Sequence, residues 1–376
     1  MNLIGIDLHT DSFYVVRTRS TEGGRIRTER KYDLKGPGWD TFTKTLRNDD
    51  YVLVEATTNA FWFHDRIRPY VKECFILNVN RVAFSGNKTD KIDARRLLDL
   101  LSYYVQVKGV DELPSVYVPR PEVCRLRSLL STYRLNKKIE TQLKNRIHSL
   151  FKQNGEATTK KKLFTKAGWE SAMKGVSQEL RVHISLIARQ LVDAQKARRA
   201  VSDLIVDEGM RTFPEQIELL LSIPGFSVFT AIVLLADIDT VDRFPSAKRF
   251  TSYLRTAPRI KASNNTAHLG PVSKQSRSLT CTILTQSIVH LKHAGPYLSS
   301  FYERVHVGKS TGKSRIALIR KTLVAAYYML KRGTTFRWVD ADRYERKKAA
   351  TRLEVEQAMR RHRTEVLSLE EAAQYA

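Results

Sequence analysis

Cysteine is scarce: Cys74, Cys124 and Cys281 are the three in 376 residues. They lie too far apart for a metal knuckle and are too few for a disulfide framework, so reduced, structural thiols are expected. No apolar run approaches the roughly 18 residues of a membrane span. The opening MNLIGIDLHTDS carries an aspartate where a secretory leader has its apolar stretch. A cytoplasmic chain with no membrane partner is expected. Acidic residues are short as well, 39 Asp and Glu against 64 Lys and Arg, for a formal charge of +25. Such a surplus calls for a polyanion, and nucleic acid is the commonest one. The basic residues spread over the whole chain and gather on no single amphipathic helix, which argues against an anionic membrane surface.

The length suits two or three folded units, each with its own core. In the first 80 or so residues, NLIGIDL (2–8), FYVVRTR (13–19) and RIRTERKYDL (25–34) read as three meandering strands. Helix, strand, helix and strand follow at 36–48, 51–57, 59–71 and 73–79. The pattern predicts a mixed α/β sheet. From about 120 to 208, Leu126, Leu129, Leu130, Tyr133, Ile139, Leu143, Ile147 and Leu150 recur mostly three or four apart among lysines and arginines. Leu180, Ile184, Ile187, Leu191, Val201 and Leu204 do the same. Two basic amphipathic helices around NGEATTKKKLFTKAGW predict a coiled coil or helical hairpin, serving either as a spacer or as an arm along nucleic acid or another protomer. LLLSIPGFSVFTAIVLLADI (219–238) predicts a helical hairpin. Its Pro224–Gly225 turn either holds a phosphate or simply packs two helices. The stretch RFPSAKRFTSYLRTAPRIKASNNTAHLGPVSKQSRS reads as polar and turn-rich, two further helices close the region, and the tail from about Arg343 is charged with no obvious core face.

The most unusual stretch is SGNKTDKIDARRLLDLLSYY (85–104), where Asp90 and Asp93 sit three apart at the start of a helix. At that spacing both side chains share one face within one turn. One reading is a helix start, with Asp90 as N-cap and Asp93 in the first turn. The other is a divalent cation held between two carboxylates, magnesium or manganese rather than zinc. Asp7 breaks the apolar run IGIDL and Glu55 ends VLVEAT in the same fashion. A buried acid is costly without a partner. If the first and fourth strands are neighbours, Asp7 and Glu55 emerge side by side, and a helix packed on that sheet brings Asp90 and Asp93 to the same edge. Four acids at one point imply two metal ions set to polarise a phosphodiester.

These residues resemble a known family. hIGIDhh, then hhEAT, then KTDxxDAxxL, a helical spacer and a C-terminal SIPGhxxxxAxxLLAxI are similar to the DEDD transposases of bacterial insertion sequences, family one-ten with its eleven-eleven subgroup, recombinases guided by a structured bridge RNA. The likeness runs from about residue 2 to about 335, and KTDKIDA is its most specific element. The resemblance implies a RuvC-like, ribonuclease H-type α/β domain at 1–110 and a basic coiled-coil linker at 111–210. It implies a mostly α-helical transposase domain with a helix-hairpin-helix-like turn at 211–340, leaving a charged tail at 341–376. It assigns Asp7, Glu55, Asp90 and Asp93 to the metal-binding tetrad, with two Mg2+ or Mn2+ ions as cofactors. APRIKASNN places Pro258 five residues before Ser263, which makes Ser263 the matching nucleophile. The run departs from the family pattern in reading LRTAP before the serine and Asn264 after it.

The implied chemistry is strand transfer through a phosphoserine–DNA link, with the hydroxyl activated by metal or base. Lys88, Arg95, Arg259, Lys261, His268 and Lys274 are candidate contacts to nucleic acid. The partners implied are donor and target duplex DNA, the bridge RNA and further copies of the chain as a dimer or tetramer, in a nucleoid-associated cytoplasmic protein. Two other readings stay open: a metal-dependent nuclease of the Holliday-junction-resolvase kind, needing the acids but not Ser263, and a non-catalytic nucleic-acid-binding protein.

Overall fold

The computed structural model describes the backbone of residues 1–21, 24–82, 89–156, 159–263, 266–272, 279–292 and 295–373. It describes their side chains except at 20–21, 24–25, 258–263, 266–269, 271–272, 292 and 363–373. The chain divides into two compact units, Met1–Pro119 and Arg120–Ala376.

The first unit is a mixed sheet covered on both faces. Strands β1 (Asn2–Leu8), β2 (Ser12–Thr21) and β3 (Gly24–Asp33) form an antiparallel meander; helix α1 (Pro37–Thr43), strand β4 (Tyr51–Glu55), helix α2 (Ala60–Ile67), strand β5 (Glu73–Leu77) and helix α3 (Asp90–Tyr103) follow. The sheet order is β3-β2-β1-β4-β5, with β4 parallel to both β1 and β5. The first and fourth strands are therefore neighbours, as the sequence predicts. Every residue of β1 is buried, because alternate side chains enter two different cores. Ile4, Ile6 and Leu8 join an aromatic core with Phe13, Trp39, Phe42 and Phe63 under α1 and α2. Leu3 on β1 and Leu53 on β4 join the other, against Ala94, Leu97, Leu98 and Leu101 of α3. At the end of the sheet remote from β1's C-terminus, the buried Asp50 carboxylate accepts the backbone and side-chain N–H groups of Asn2, both at 2.7 Å.

The second unit is mostly helical. Helices α4 (Pro121–Gln153) and α7 (Gln178–Thr212) run antiparallel, bound by Arg125–Glu208 and Arg198–Glu140 ion pairs. The short helices α5 (Lys160–Leu163) and α6 (Lys166–Lys174) close the tip over Ile147, Phe151, Leu163 and Ile184. At the other end of the hairpin, Val123, Leu126, Leu130, Ile205 and Val206 enter one large core with the helices that follow. Those are α8 (Pro214–Leu221), α9 (Val228–Ile238), α10 (Ala247–Tyr253), α11 (Leu279–Gln286), α12 (Ile288–Lys292), α13 (Pro296–Val307), α14 (Thr311–Arg332) and α15 (Ala341–Ala373). Helix α9, VFTAIVLLADI, is apolar all round, and the core encloses it. The turn before it needs Gly225, whose φ of +80° suits no side chain.

Two sequence expectations for this unit are corrected. The stretch read as turn-rich contains α10 and a hairpin of β6 (Pro258–Ser263) with β7 (Thr266–Val272). The tail does have a core face: Val355 and Ala358 are buried and join the main core. Arg361 fastens α15 to α7 through Nε and Nη2 at 2.7 and 2.8 Å from the buried Asp203 carboxylate. Arg361→Ala strands that carboxylate and is expected to cost about 2 kcal/mol. Hydrogen exchange should then show α15 opening before the α7 core; unchanged protection of α15 would contradict this.

Candidate metal centre

The acidic edge follows from the two-residue period of a strand. Leu3 packs toward α3, and so do Gly5 and Asp7 at the same parity. On β4, Leu53 packs toward α3, which puts Glu55 on that side at the strand's end. Register pairs Ile6 with Val54, so Asp7 and Glu55 come one step later at the C-terminal ends of two adjacent parallel strands.

Gly5 sets how closely the helix approaches. A Cβ there would lie 2.3 Å from the Ala94 carbonyl oxygen and 2.4 Å from the Leu98 nitrogen. Helix backbone therefore rests directly on strand backbone, and the first turn of α3 falls at the carboxylate edge. Thr89 caps the helix, its hydroxyl accepting the Ile92 N–H at 3.3 Å. The sequence reading that made Asp90 the cap is thus corrected: Asp90 is the first helical residue and is free to face the sheet edge.

Asp7, His9 and Asp90 converge, each offering a ligand atom within 4.8 Å of the others. His9 Nε2 is 3.3 Å from Asp7 Oδ2 and 3.3 Å from Asp90 Oδ1. Asp7 is only 7% exposed. Its carboxyl is pushed up from 3.8 to about 6, chiefly by burial; His9 opposes the rise, while Asp90, Glu55 and Asp93 add to it by repulsion. The other three acids therefore all act on Asp7 at this edge. Glu55 and Asp93 stay outside the tight group of three. Asp93 Oδ1 instead accepts from Arg96 Nη1 at 3.1 Å.

A buried carboxylate facing three other acids, with one half-exposed imidazole beside it, suits a divalent ion. The two carboxylates are donors of the kind that suit magnesium or manganese, and the imidazole adds one nitrogen to the set. Ligation displaces the Asp7 proton, so affinity for a cation falls as the pH drops below about 6. His9 escaped the sequence reading. It lies one residue past the end of β1, where no strand periodicity marks it.

The basic candidates divide. Arg95 donates from Nε to Glu29 Oε1 at 2.5 Å, and Lys91 Nζ is 3.0 Å from Glu29 Oε2. These cations hold the Glu29 carboxyl down to about 2, Arg95 foremost. Arg95 thus ties α3 to β3 and is engaged within the fold. Lys88 and Lys274 lie outside the described residues. In the second unit, Ser263 is the last residue of β6 and pairs in register with Thr266 of β7. Lys261 pairs with His268, and Arg259 lies on the same strand; the side chains of Ser263, Lys261, His268 and Arg259 are outside those described.

Comparison with known proteins bears on the second unit. Residues 217–303 match the family model described as Transposase IS116/IS110/IS902 family. That segment runs from α8 into α13 and includes the Pro224–Ser227 turn and Ser263. A relative in Streptomyces coelicolor, the insertion element IS110 uncharacterized 43.6 kDa protein, is 28% identical over 119 residues. The aligned stretch is 31% of this chain and 29% of that protein. No described helix is long and apolar enough to cross a membrane. Over the matched segment, this chain is similar to the IS116/IS110/IS902 transposases.

Proposed function

We propose that the protein is an insertion-sequence transposase acting as an RNA-guided DNA recombinase, with the first unit a RuvC-like nuclease domain. The observation that carries this reading is the convergence of Asp7, His9 and Asp90 at the ends of parallel strands, in a chain whose residues 217–303 match a transposase family. The charge of +25 supports it, since holding a folded RNA and two duplexes means neutralising many phosphates.

In this reading Asp7, Glu55, Asp90 and Asp93 hold two Mg2+ or Mn2+ ions, with His9 as an added ligand or a phosphate contact. Bound there, the ions supply Lewis-acid polarisation of the scissile phosphate and lower the pKa of a coordinated hydroxyl. The chain's own part is to keep the carboxylates on one rigid edge and to carry Ser263 at the end of β6. The serine oxygen attacks phosphorus and gives up its proton; the bond from phosphorus to the leaving sugar oxygen breaks, and that oxygen takes a proton. The new phosphoserine ester conserves the bond energy, so strands exchange and reseal without ATP. Donor and target choice falls to base pairing by the guide, and the active species is a dimer or tetramer.

Ser263→Ala tests the nucleophile. The proposal predicts that Ser263→Ala forms no denaturation-resistant protein–DNA adduct and loses strand transfer by at least about a thousandfold. Metal-dependent cleavage retained by Ser263→Ala would favour instead a resolvase-type nuclease, a chemistry that the acidic edge supports by itself. Sequencing the RNA that co-purifies with the chain tests the guide: a discrete structured species is expected.

A further inference from the structure

A cavity in the second unit is lined by none of the acids of the metal centre and by no residue of the β6–β7 hairpin among the described residues. The Pro224–Ser227 turn, the start of α13 and the segment Trp338–Lys347 enclose an open cavity of about 450 Å3, within the usual size of a small-ligand site. Its walls include Leu221, Phe226, Pro296 and Val339. Its edge carries an aromatic platform: Tyr297 and Trp338 stack with centroids 3.5 Å apart and planes 14° from parallel. Trp338, supported in this way, is nonetheless 46% exposed. A tryptophan held rigid on one side and open to solvent is poorly explained as core, and its π-face is the surface on which a base stacks.

The same cavity is lined by Arg343 and Lys347. Lys347 Nζ donates to the carbonyls of Leu221 and Ile223, at 2.5 and 2.9 Å, and meets no carboxylate. Burial, then the nearby Arg343, depresses its pKa to about 8. Arg343 and Lys347 thus sit one turn apart on the same face of α15, and neither forms an ion pair among the described residues. The acid in the wall, Asp340, caps α15 by accepting the Arg343 backbone N–H at 3.0 Å. Arg337 adds a third cation, 5.5 Å from the Trp338 ring centre. Uncompensated positive charge beside an exposed aromatic face is complementary to a nucleotide, which carries both an anionic and a flat apolar part.

We propose that this cavity binds one unpaired nucleotide of a nucleic-acid strand, its base on the Trp338 ring and its phosphate between Arg343 and Lys347. The proposal rests on the nucleic-acid reading of the function and adds that the second unit senses unpaired strand. An intact duplex keeps its bases stacked inside and offers nothing to Trp338.

The test uses the full chain with two fluorescent probes, a single-stranded thymidine homopolymer and a blunt duplex of equal length. Trp338→Ala is expected to weaken single-strand binding about tenfold or more while duplex binding stays within about twofold. Trp338→Phe, which keeps an aromatic face, should recover most of the loss. Arg343→Gln should flatten the single-strand salt dependence by about 0.7 in log–log slope. Thermal melting at the wild-type temperature shows that the variants fold. Trp338→Ala binding single strand as the wild type does would overturn the pocket and leave the nucleic-acid reading intact. A wild-type chain that binds neither probe would overturn both.

Discussion

Asp7→Asn is expected to remove metal-dependent strand transfer by at least about a thousandfold, and at the same time to make the metal-free chain more stable at neutral pH. The two effects have one cause. Asp7 is buried on β1 facing Asp90, Glu55 and Asp93, and its carboxyl is raised from 3.8 to about 6. The folded chain therefore holds that proton more tightly than the unfolded chain does. The stability this contributes is complete below about pH 4 and is lost as the pH rises through 6; at pH 7.5 the ionised carboxylate is a burden of roughly 3 kcal/mol at most. Asparagine keeps the shape without the charge, but gives up the attraction to His9. A net gain of about 1–2 kcal/mol is expected in chelator. The difference between wild type and Asp7→Asn in urea unfolding should be near zero at pH 4 and should grow to its full size by pH 7. A constant difference across that range would mean that the environment of Asp7 is not as described.

Gly5→Ala should be the costliest single methyl group in the first unit. The added carbon meets the α3 backbone twice, the Ala94 oxygen at 2.3 Å and the Leu98 nitrogen at 2.4 Å, so no rotamer change relieves it. Helix α3 must lift from the sheet, loosening Leu97, Leu98 and Leu101 from Leu53. A loss of about 3 kcal/mol is expected. Because Asp90 rides on the first turn of α3, the same change should abolish stabilisation by Mn2+ even though every carboxylate is still present. Wild-type stability together with wild-type Mn2+ response would refute this docking of helix on strand.

The first unit was largely legible because its signals are local and periodic. Short, nearly continuous apolar runs in NLIGIDL and YVLVE specify strands buried on both faces, and a single acid near the end of each marks it as unusual. Neighbouring β1 and β4 follow from a meander that then turns parallel. Less legible were features that depend on what a side chain meets. Asp93 spends a carboxylate oxygen on Arg96, and Arg95 is taken up by Glu29; nothing in KIDARR distinguishes those arginines from solvent-facing ones. His9 was overlooked because one imidazole just past a strand carries no pattern without its partners. Helix α15 concealed its buried face, Thr351, Val355 and Ala358, by making it small and sparse in a run of charge. The β6–β7 hairpin was hidden because PRIKAS and TAHLGPV show too little apolar alternation to declare strands. The stacking of Tyr297 on Trp338, from segments about forty residues apart, has no local signature at all.

Whether acids distant in sequence gather on one sheet edge to hold divalent ions is tested most directly by anomalous diffraction from crystals of the full chain soaked in Mn2+. A manganese peak coordinated by Asp7 and Asp90 is expected, and it should be lost in Asp7→Asn crystals. Crystals saturated with Mn2+ that show no peak within reach of Asp7 would contradict it.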